Sequence, residues 1–357
     1  MCINRKLLFA LAIPLSLCYS QRDTITYDSV SGDYIIKYFP EDEYGNKTDS
    51  AVIVLFEPAT KIDPRVLCAA YQAASANGFL YNYTCSNGIG SHQNLVDFTL
   101  EFGRNILVID RTPADGWHST RENDIEEEKL IVGRRWNWHG DSGLKPGRSW
   151  LVGAIESNGL PGIVNAYFQG KTKRTILAFP DEGPGYELTL QLMQLRTFPS
   201  NRVVRKTIGP ISPPASFVAL SFLDTLISYT RQSAELGWLG RSRDDDCDDD
   251  ERPDDGITKN IEKRLEKTKK ELSKGDSTKA RKELEKLVDK VERIWKRSQD
   301  EEKKHKGEQR ERKQDVIMTG EAYALLLYNT EYLIDRLPDG KEKKGEKEKK
   351  GGDKDDD

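Results

Sequence analysis

The prevailing hydrophobic period of this chain differs on the two sides of a run of carboxylates. Before Asp244-Asp245-Asp246-Cys247-Asp248-Asp249-Asp250 the apolar residues mostly alternate with polar ones, as along a half-buried strand. After it they return every third or fourth residue, as on one face of a helix. No single regular element type satisfies both periods. Charge follows the same division: residues 241–357 hold 32 of the 55 Lys/Arg and 34 of the 59 Asp/Glu. The sequence therefore predicts a multi-domain α and β protein. An N-terminal antiparallel β-sandwich (22–240) is followed by an acidic linker (241–256), a small three-helix bundle (257–337) and a disordered charged tail (338–357). The two signs nearly cancel, with a formal net charge of −4, so no nucleic-acid partner is expected.

The first residues read as a secretory signal. Arg5 and Lys6 precede the apolar run Leu7–Leu15, which is too short for a helix of roughly 20 residues that crosses a bilayer. Cys18 and Ser20 place small residues before a cut at Gln21. Lipidation of Cys18 is the alternative, and Leu17 before it argues against that. No later stretch is apolar enough to span, so no integral membrane segment is expected after residues 1–20 are removed. A secreted, extracellular or periplasmic location follows. In such a compartment Cys68 and Cys85 are the natural disulfide pair, with two buried free thiols as the alternative. Cys247 lies among carboxylates that raise a thiol pKa. These spacings build no zinc site, and no metal ligands are assigned.

Within 22–240, β-branched and aromatic runs recur between turn residues: Tyr34–Phe39, Ala51–Phe56, Phe79–Cys85, Leu95–Phe102, Asn105–Asp110, Arg148–Ala154 and Gly162–Phe168. Seven to nine short strands at such spacings suit a sandwich. Pro64–Ser75, rich in alanine, and Phe217–Leu236, with Leu220, Leu223, Leu226 and Ile227, read as helices.

The chemistry is sparse. There is no Gly-x-Ser-x-Gly elbow, no P-loop and no strand-linked Gly-x-Gly-x-x-Gly, so no catalytic residues are assigned. His92, His118 and His139 show no paired metal spacing. The most unusual local run is Trp136-Asn137-Trp138-His139-Gly140-Asp141. Trp136 and Trp138 could form an aromatic platform for a sugar ring, with His139 and Asp141 bonding its hydroxyls. Alternatively, both indoles pack into the sandwich. Asn46-Lys47-Thr48 and Asn82-Tyr83-Thr84 are formal glycosylation sequons. In Arg241–Gly256, nine acidic residues and Pro253 describe a solvated linker, with calcium as the one cofactor considered, although the EF-hand order is missing.

Beyond the linker, Ile261, Leu265 and Leu272 share one helix face and Gly275 ends it. Asp276 or Ser277 caps the next helix, with Leu284, Leu287, Val288, Val291, Ile294 and Trp295 as its stripe. Gln299–Gln314 is nearly all charge and reads as a solvated loop or an exposed helical extension. The third helix starts near Thr319, carries Glu321 in its first turn, and stops at Pro338. Ile261-x-x-x-Leu265, the turn Leu272–Asp276, the helix Lys282–Trp295 and Glu321–Leu326 together resemble the FIMAH domain, a helical module at the carboxyl end of many secreted bacterial proteins. The sequence departs from that family in its charged insertion Asp300–Gln314 and in Leu287-Val288-Asp289-Lys290-Val291 where Phe-Ile-Asn-x-Val is usual. The resemblance implies an accessory or interaction role and supplies no catalytic residues. The expected function is a non-catalytic binding or cell-envelope structural protein whose partner is an extracellular protein or glycan. The alternatives are a polysaccharide hydrolase acting around Trp136–Asp141 and a calcium-dependent adhesion module.

Overall fold

A computed structural model describes residues 22–73, 78–102, 106–110, 115–126, 129–138, 142–172, 185–196, 200–240, 255–305 and 318–338. Residues 1–21, where a secretory signal is expected, together with Cys247, the acidic run 244–254, 306–317 and 339–357, lie outside the described residues. Among the described residues the fold mixes three antiparallel sheets with five helices. Among the described residues no helix is long and apolar enough to cross a membrane.

The chain divides into two compact units, and the division is not the one the charge pattern predicts. One unit is residues 1–58 with 172–200; the other is 59–171 with 201–357. In the first, β1 (Thr24–Asp28), β2 (Asp33–Tyr38) and β3 (Val52–Phe56) form a three-stranded meander. Ile36, Tyr38 and Phe56 pack with Leu188 and Leu192 of α1 (Tyr186–Arg196) into a small core of its own. So 22–240 is not one sandwich domain. Its first three strands form this meander, and α1 packs with them.

In the second unit, β4 (Pro64–Gln72), β5 (Phe79–Asn87), β7 (Val108–Asp110) and β10 (Arg148–Ser157) form a sheet in the order β4-β5-β10-β7. A second sheet runs β12-β11-β6-β9-β8, from β6 (Leu95–Glu101), β8 (Trp117–Glu126), β9 (Lys129–Trp138), β11 (Leu160–Gly170) and β12 (Val203–Ile211). Inward residues of both sheets share one core, which makes this part a sandwich. Phe98 stacks on Trp136 (centroids 5.0 Å apart) and on Phe168 (5.2 Å), and Tyr83 of the opposite sheet leans on Phe98 and Trp136 at 5.7 and 5.8 Å. The buried phenols keep their bonds: Tyr81 donates to the carbonyl of Gly159 at 2.8 Å and Tyr83 to that of Ile208 at 3.2 Å.

The helix expected at Pro64–Ser75 is strand β4. Val66, Cys68 and Ala70 point inward while Leu67 and Tyr71 are exposed, so the true period is two. Two adjacent alanines masked that alternation, and pairing along β5 outweighs alanine's helix preference.

Four helices rather than three pack together: α2 (Ala219–Glu235), α3 (Asp255–Ser273), α4 (Ser277–His305) and α5 (Gly320–Arg336). Leu223, Leu226, Leu265, Leu284, Leu287, Val291, Leu326 and Leu333 meet in their shared core. The punctuation follows the expected rules. Gly275 takes φ +76° after α3, Asp276 accepts from the Lys279 amide at 2.9 Å, and Thr319 caps α5 by accepting from Ala322.

These helices are not a separate body, so the expected boundary near 240–257 does not separate compact units. The reason is the exposed backbone of edge strand β4, which α5 covers. The Cys68 amide donates to Glu321 Oε1 at 2.7 Å, and the Tyr328 hydroxyl donates to the Ala70 carbonyl at 3.3 Å. Asn329 donates to the carbonyl of Pro161 in β11 at 2.9 Å. Ala324 and Leu325 belong to the sandwich core, whereas Ala322, Leu326 and Leu327 belong to the helical core. One helix thus carries side chains into both.

Candidate functional site

The tryptophan run divides between core and rim. β9 pairs with β6 and β8, which sets Trp136 opposite Phe98 and Ser119 and Trp138 opposite Trp117. Trp136 is fully buried and stacked, so it cannot serve as a platform for a ligand. Burying a side chain of that size stabilises by about 4–6 kcal/mol before entropy is counted. Trp138 is half-buried and sits edge-on to Trp117 at 5.3 Å and to Trp150 at 6.5 Å. Gly116, at φ +87°, lets the chain pass the Trp138 ring. A Cβ there would meet the indole at 3.1 Å. Trp150 is partly exposed at the rim. His139 and Asp141 lie outside the described residues, and His118 is exposed.

The two candidate cysteines are free thiols rather than a disulfide. The register explains this. Cys68 opposes Tyr83 and Cys85 opposes Val66, so the pair is diagonal. Diagonal neighbours sit about 7–8 Å apart, whereas a disulfide spans about 4.4–6.8 Å between Cα atoms. Burial pushes both thiols well above their ordinary pKa, and for Cys68 the nearby Glu321 carboxyl adds to it. Neither is poised as a nucleophile.

A polar network that sequence reasoning missed crosses the outer face of the five-stranded sheet. Asp97 accepts from Arg135 and, at 3.1 Å, from Thr99, and Thr99 in turn accepts from Arg202 at 2.9 Å. Glu101 accepts from Tyr167 at 2.9 Å and from Asn165 at 2.8 Å, and Lys206 donates to Asn165 at 2.6 Å. Burial, then the bond to Glu101, raises the Tyr167 phenol to about 12. Each acid already has a donor on a neighbouring strand. The network therefore fixes register and offers no free general acid or base. Its only sequence signal is a polar residue at every second position of β6, Asp97, Thr99 and Glu101, which alternation alone reads as solvent-facing.

The outer face of the four-stranded sheet has the opposite character. Its rows run Arg65–Ser86–Ser149, Leu67–Thr84–Leu151, Ala69–Asn82–Ala154 and Tyr71–Leu80–Glu156–Ile109 across β4, β5, β10 and β7. Leu67, Tyr71, Leu151 and Ile109 are exposed by 62%, 52%, 50% and 48%. Glu156, itself buried, is the one carboxylate in those rows, and Arg65 at one end of the face is the one cation, in a chain that is 32% charged. Large apolar side chains, small polar ones and few charges are the composition of an interface centre.

Among the described residues no group of three or more His, Cys, Asp or Glu could hold a metal ion. The acidic run 244–255, where calcium was considered, lies almost wholly outside the described residues. No protein-family model matches the chain, and no curated relative matches it. Among solved structures, an uncharacterized protein from Nocardia farcinica, described as revealing an immunoglobulin-like fold, is similar at 15% identity. The match covers 42% of this chain and 98% of that one, with a TM-score of 0.25, too slight to carry an argument.

Proposed function

We propose that this chain is a secreted, non-catalytic binding protein that engages another protein through the outer face of the β4-β5-β10-β7 sheet. The observation that carries the reading is the charge-poor row set with Leu67, Tyr71, Leu151 and Ile109 exposed together. Water-exposed apolar area of this kind costs solubility and is retained where a partner covers it. A protein surface fits better than a small ligand because the face is a sheet rather than a cleft. The FIMAH resemblance supports the same class, with the helices as the accessory part. In this reading they also close the β4 edge, so that recognition runs through the sheet face and not through strand addition.

A glycan reading keeps one specific support, the half-exposed Trp150 beside Trp138. The test immobilises the full chain and the variant Leu67→Glu/Leu151→Glu beside Trp150→Ala. Each is exposed to secreted proteins and to a polysaccharide panel. The proposal expects a discrete protein partner retained by wild type and Trp150→Ala and lost by the double glutamate variant. Retention by the double variant refutes it. Polysaccharide binding lost only in Trp150→Ala would favour the glycan, and turnover of any polysaccharide would end the non-catalytic reading.

A further inference from the structure

The helical part carries a second surface, chemically unrelated to the sheet face. On α4, at about 100° per residue, Lys279, Lys286, Lys290, Arg293 and Arg297 fall within roughly 60° of arc. Glu285, Asp289 and Glu292 lie at least about 40° outside that arc, while Glu283 and Asp300 border it, each about 20° beyond an edge. Two of the five cations are neutralised: Lys279 pairs with Asp276 at 2.7 Å and Lys286 with Glu283 at 3.1 Å. Among the described residues no carboxylate pairs with Lys290, Arg293 or Arg297. Arg293 bonds only the Asp289 carbonyl, at 3.0 Å.

These three side chains converge with Arg264 of α3 around an open groove of about 400 Å³ floored by Ile294. Arg264 has one partner, Glu283 at 3.1 Å, and Glu283 is already shared with Lys267 and Lys286. Its Nε is buried and has no acceptor. Partial burial lowers the Lys290 pKa, and the charges of Arg264 and Arg293 lower it further. Mutual repulsion of this kind costs stability.

We propose that the α3–α4 groove is a binding site for a multiply charged anion bearing phosphate or sulfate groups, held by Arg264, Lys290, Arg293 and Arg297. Two features favour an oligoanion over a single ion. Lys290, Arg293 and Arg297 rise over about 10 Å of helix, matching several charges in a row. Arginine forks suit tetrahedral oxyanions. Such an anion comes either free, as an oligophosphate, or on a sulfated sugar polymer.

The test is calorimetric titration of the full chain with inorganic tripolyphosphate and, separately, with dextran sulfate, at low and at physiological salt. The variants are Lys290→Gln/Arg293→Gln/Arg297→Gln and, as an equal loss of charge elsewhere, Lys270→Gln/Lys274→Gln/Lys296→Gln. Wild type should bind, more weakly as salt screens the contacts. The groove variant should bind at least about tenfold more weakly, because three charge-assisted contacts are lost, and the control variant should bind like wild type. Saturation by tripolyphosphate identifies a free oligophosphate as sufficient, and binding of dextran sulfate alone assigns the polymer. The same anion should raise the melting temperature of wild type and leave that of the groove variant unchanged, a readout that also establishes that the variant folds. Equal binding by the groove and control variants, or no binding of either probe by wild type, overturns the proposal.

Discussion

Replacing Leu325 with alanine separates a chain whose helices are integral to its sandwich from one whose helices form an independent module. Leu325 is fully buried on α5, and its side chain lies in the sandwich core, not the helical one. Deleting a buried leucine to alanine costs about 3–4 kcal/mol where the site cannot collapse. Collapse is restricted here because Glu321, Tyr328 and Asn329 tie the same helix to β4 and β11. For a unit of this size the loss corresponds to a fall in melting temperature of roughly 6–16 °C. Thermal unfolding is followed by helical circular dichroism and, in a Trp238→Phe/Trp295→Phe background because those two pack against the helical core, by the fluorescence of the sandwich tryptophans, of which Trp136 lies deepest. Both signals should move together by the same amount. Leu287→Ala, confined to the helical core, should also shift both signals together. If Leu325→Ala or Leu287→Ala shifts the helical signal and leaves the fluorescence transition in place, the two parts unfold separately and the reasoning fails.

Other outcomes follow from single sites. Burial pushes the Glu321 carboxyl above the ordinary carboxylate range, so its contribution to stability is full below the unfolded pKa and is lost as pH rises through the folded one. Glu321→Gln should therefore flatten the acid side of a denaturant-midpoint profile and leave stability at pH 7 unchanged or higher, whereas Glu321→Ala orphans the Cys68 amide and should cost about 1–3 kcal/mol. A profile for Glu321→Gln as steep as wild type would contradict this. Cys68 and Cys85 should resist alkylation in the native chain and react once denaturant is added, read by peptide mass mapping; a Cys68–Cys85 linked peptide would refute the free-thiol assignment. Gly116→Ala should destabilise by about 1–2 kcal/mol, from the positive φ and the approach to Trp138, and should shift the tryptophan emission; an unchanged spectrum and midpoint would count against that packing.

What the sequence revealed and what it hid have separate physical causes. Period-two runs such as Tyr34–Phe39 and Leu95–Phe102 became strands because one face of each meets a core. Caps at Asp276 and Thr319 and the stop at Gly275 were legible because they are local chemistry. β4 was misread because Ala69 and Ala70 are compatible with either period. The partition failed because charge marks what is exposed and says nothing of the apolar faces of α5, one turned to the sheets and the other to the helices. Trp136 stood out correctly as unusual, but its prominence belongs to the core. The sheet face was invisible for the complementary reason. Leu67 and Tyr71 of β4, Leu151 of β10 and Ile109 of β7 come from three strands and share one face only through the register of β4, β5, β10 and β7. The basic groove is partly written in the i, i+3, i+7 spacing of Lys290, Arg293 and Arg297, but not in Arg264, which arrives from another helix.

The claim that the β4-β5-β10-β7 face is the recognition surface is tested most directly by site-specific photo-crosslinking from producing cells. A photoreactive residue is placed at Leu67 or Leu151, and as a control at Val204, which is exposed on the other sheet. The account predicts the same discrete adduct from positions 67 and 151 and none from 204. No adduct from the two face positions, or the same adduct from position 204, contradicts it.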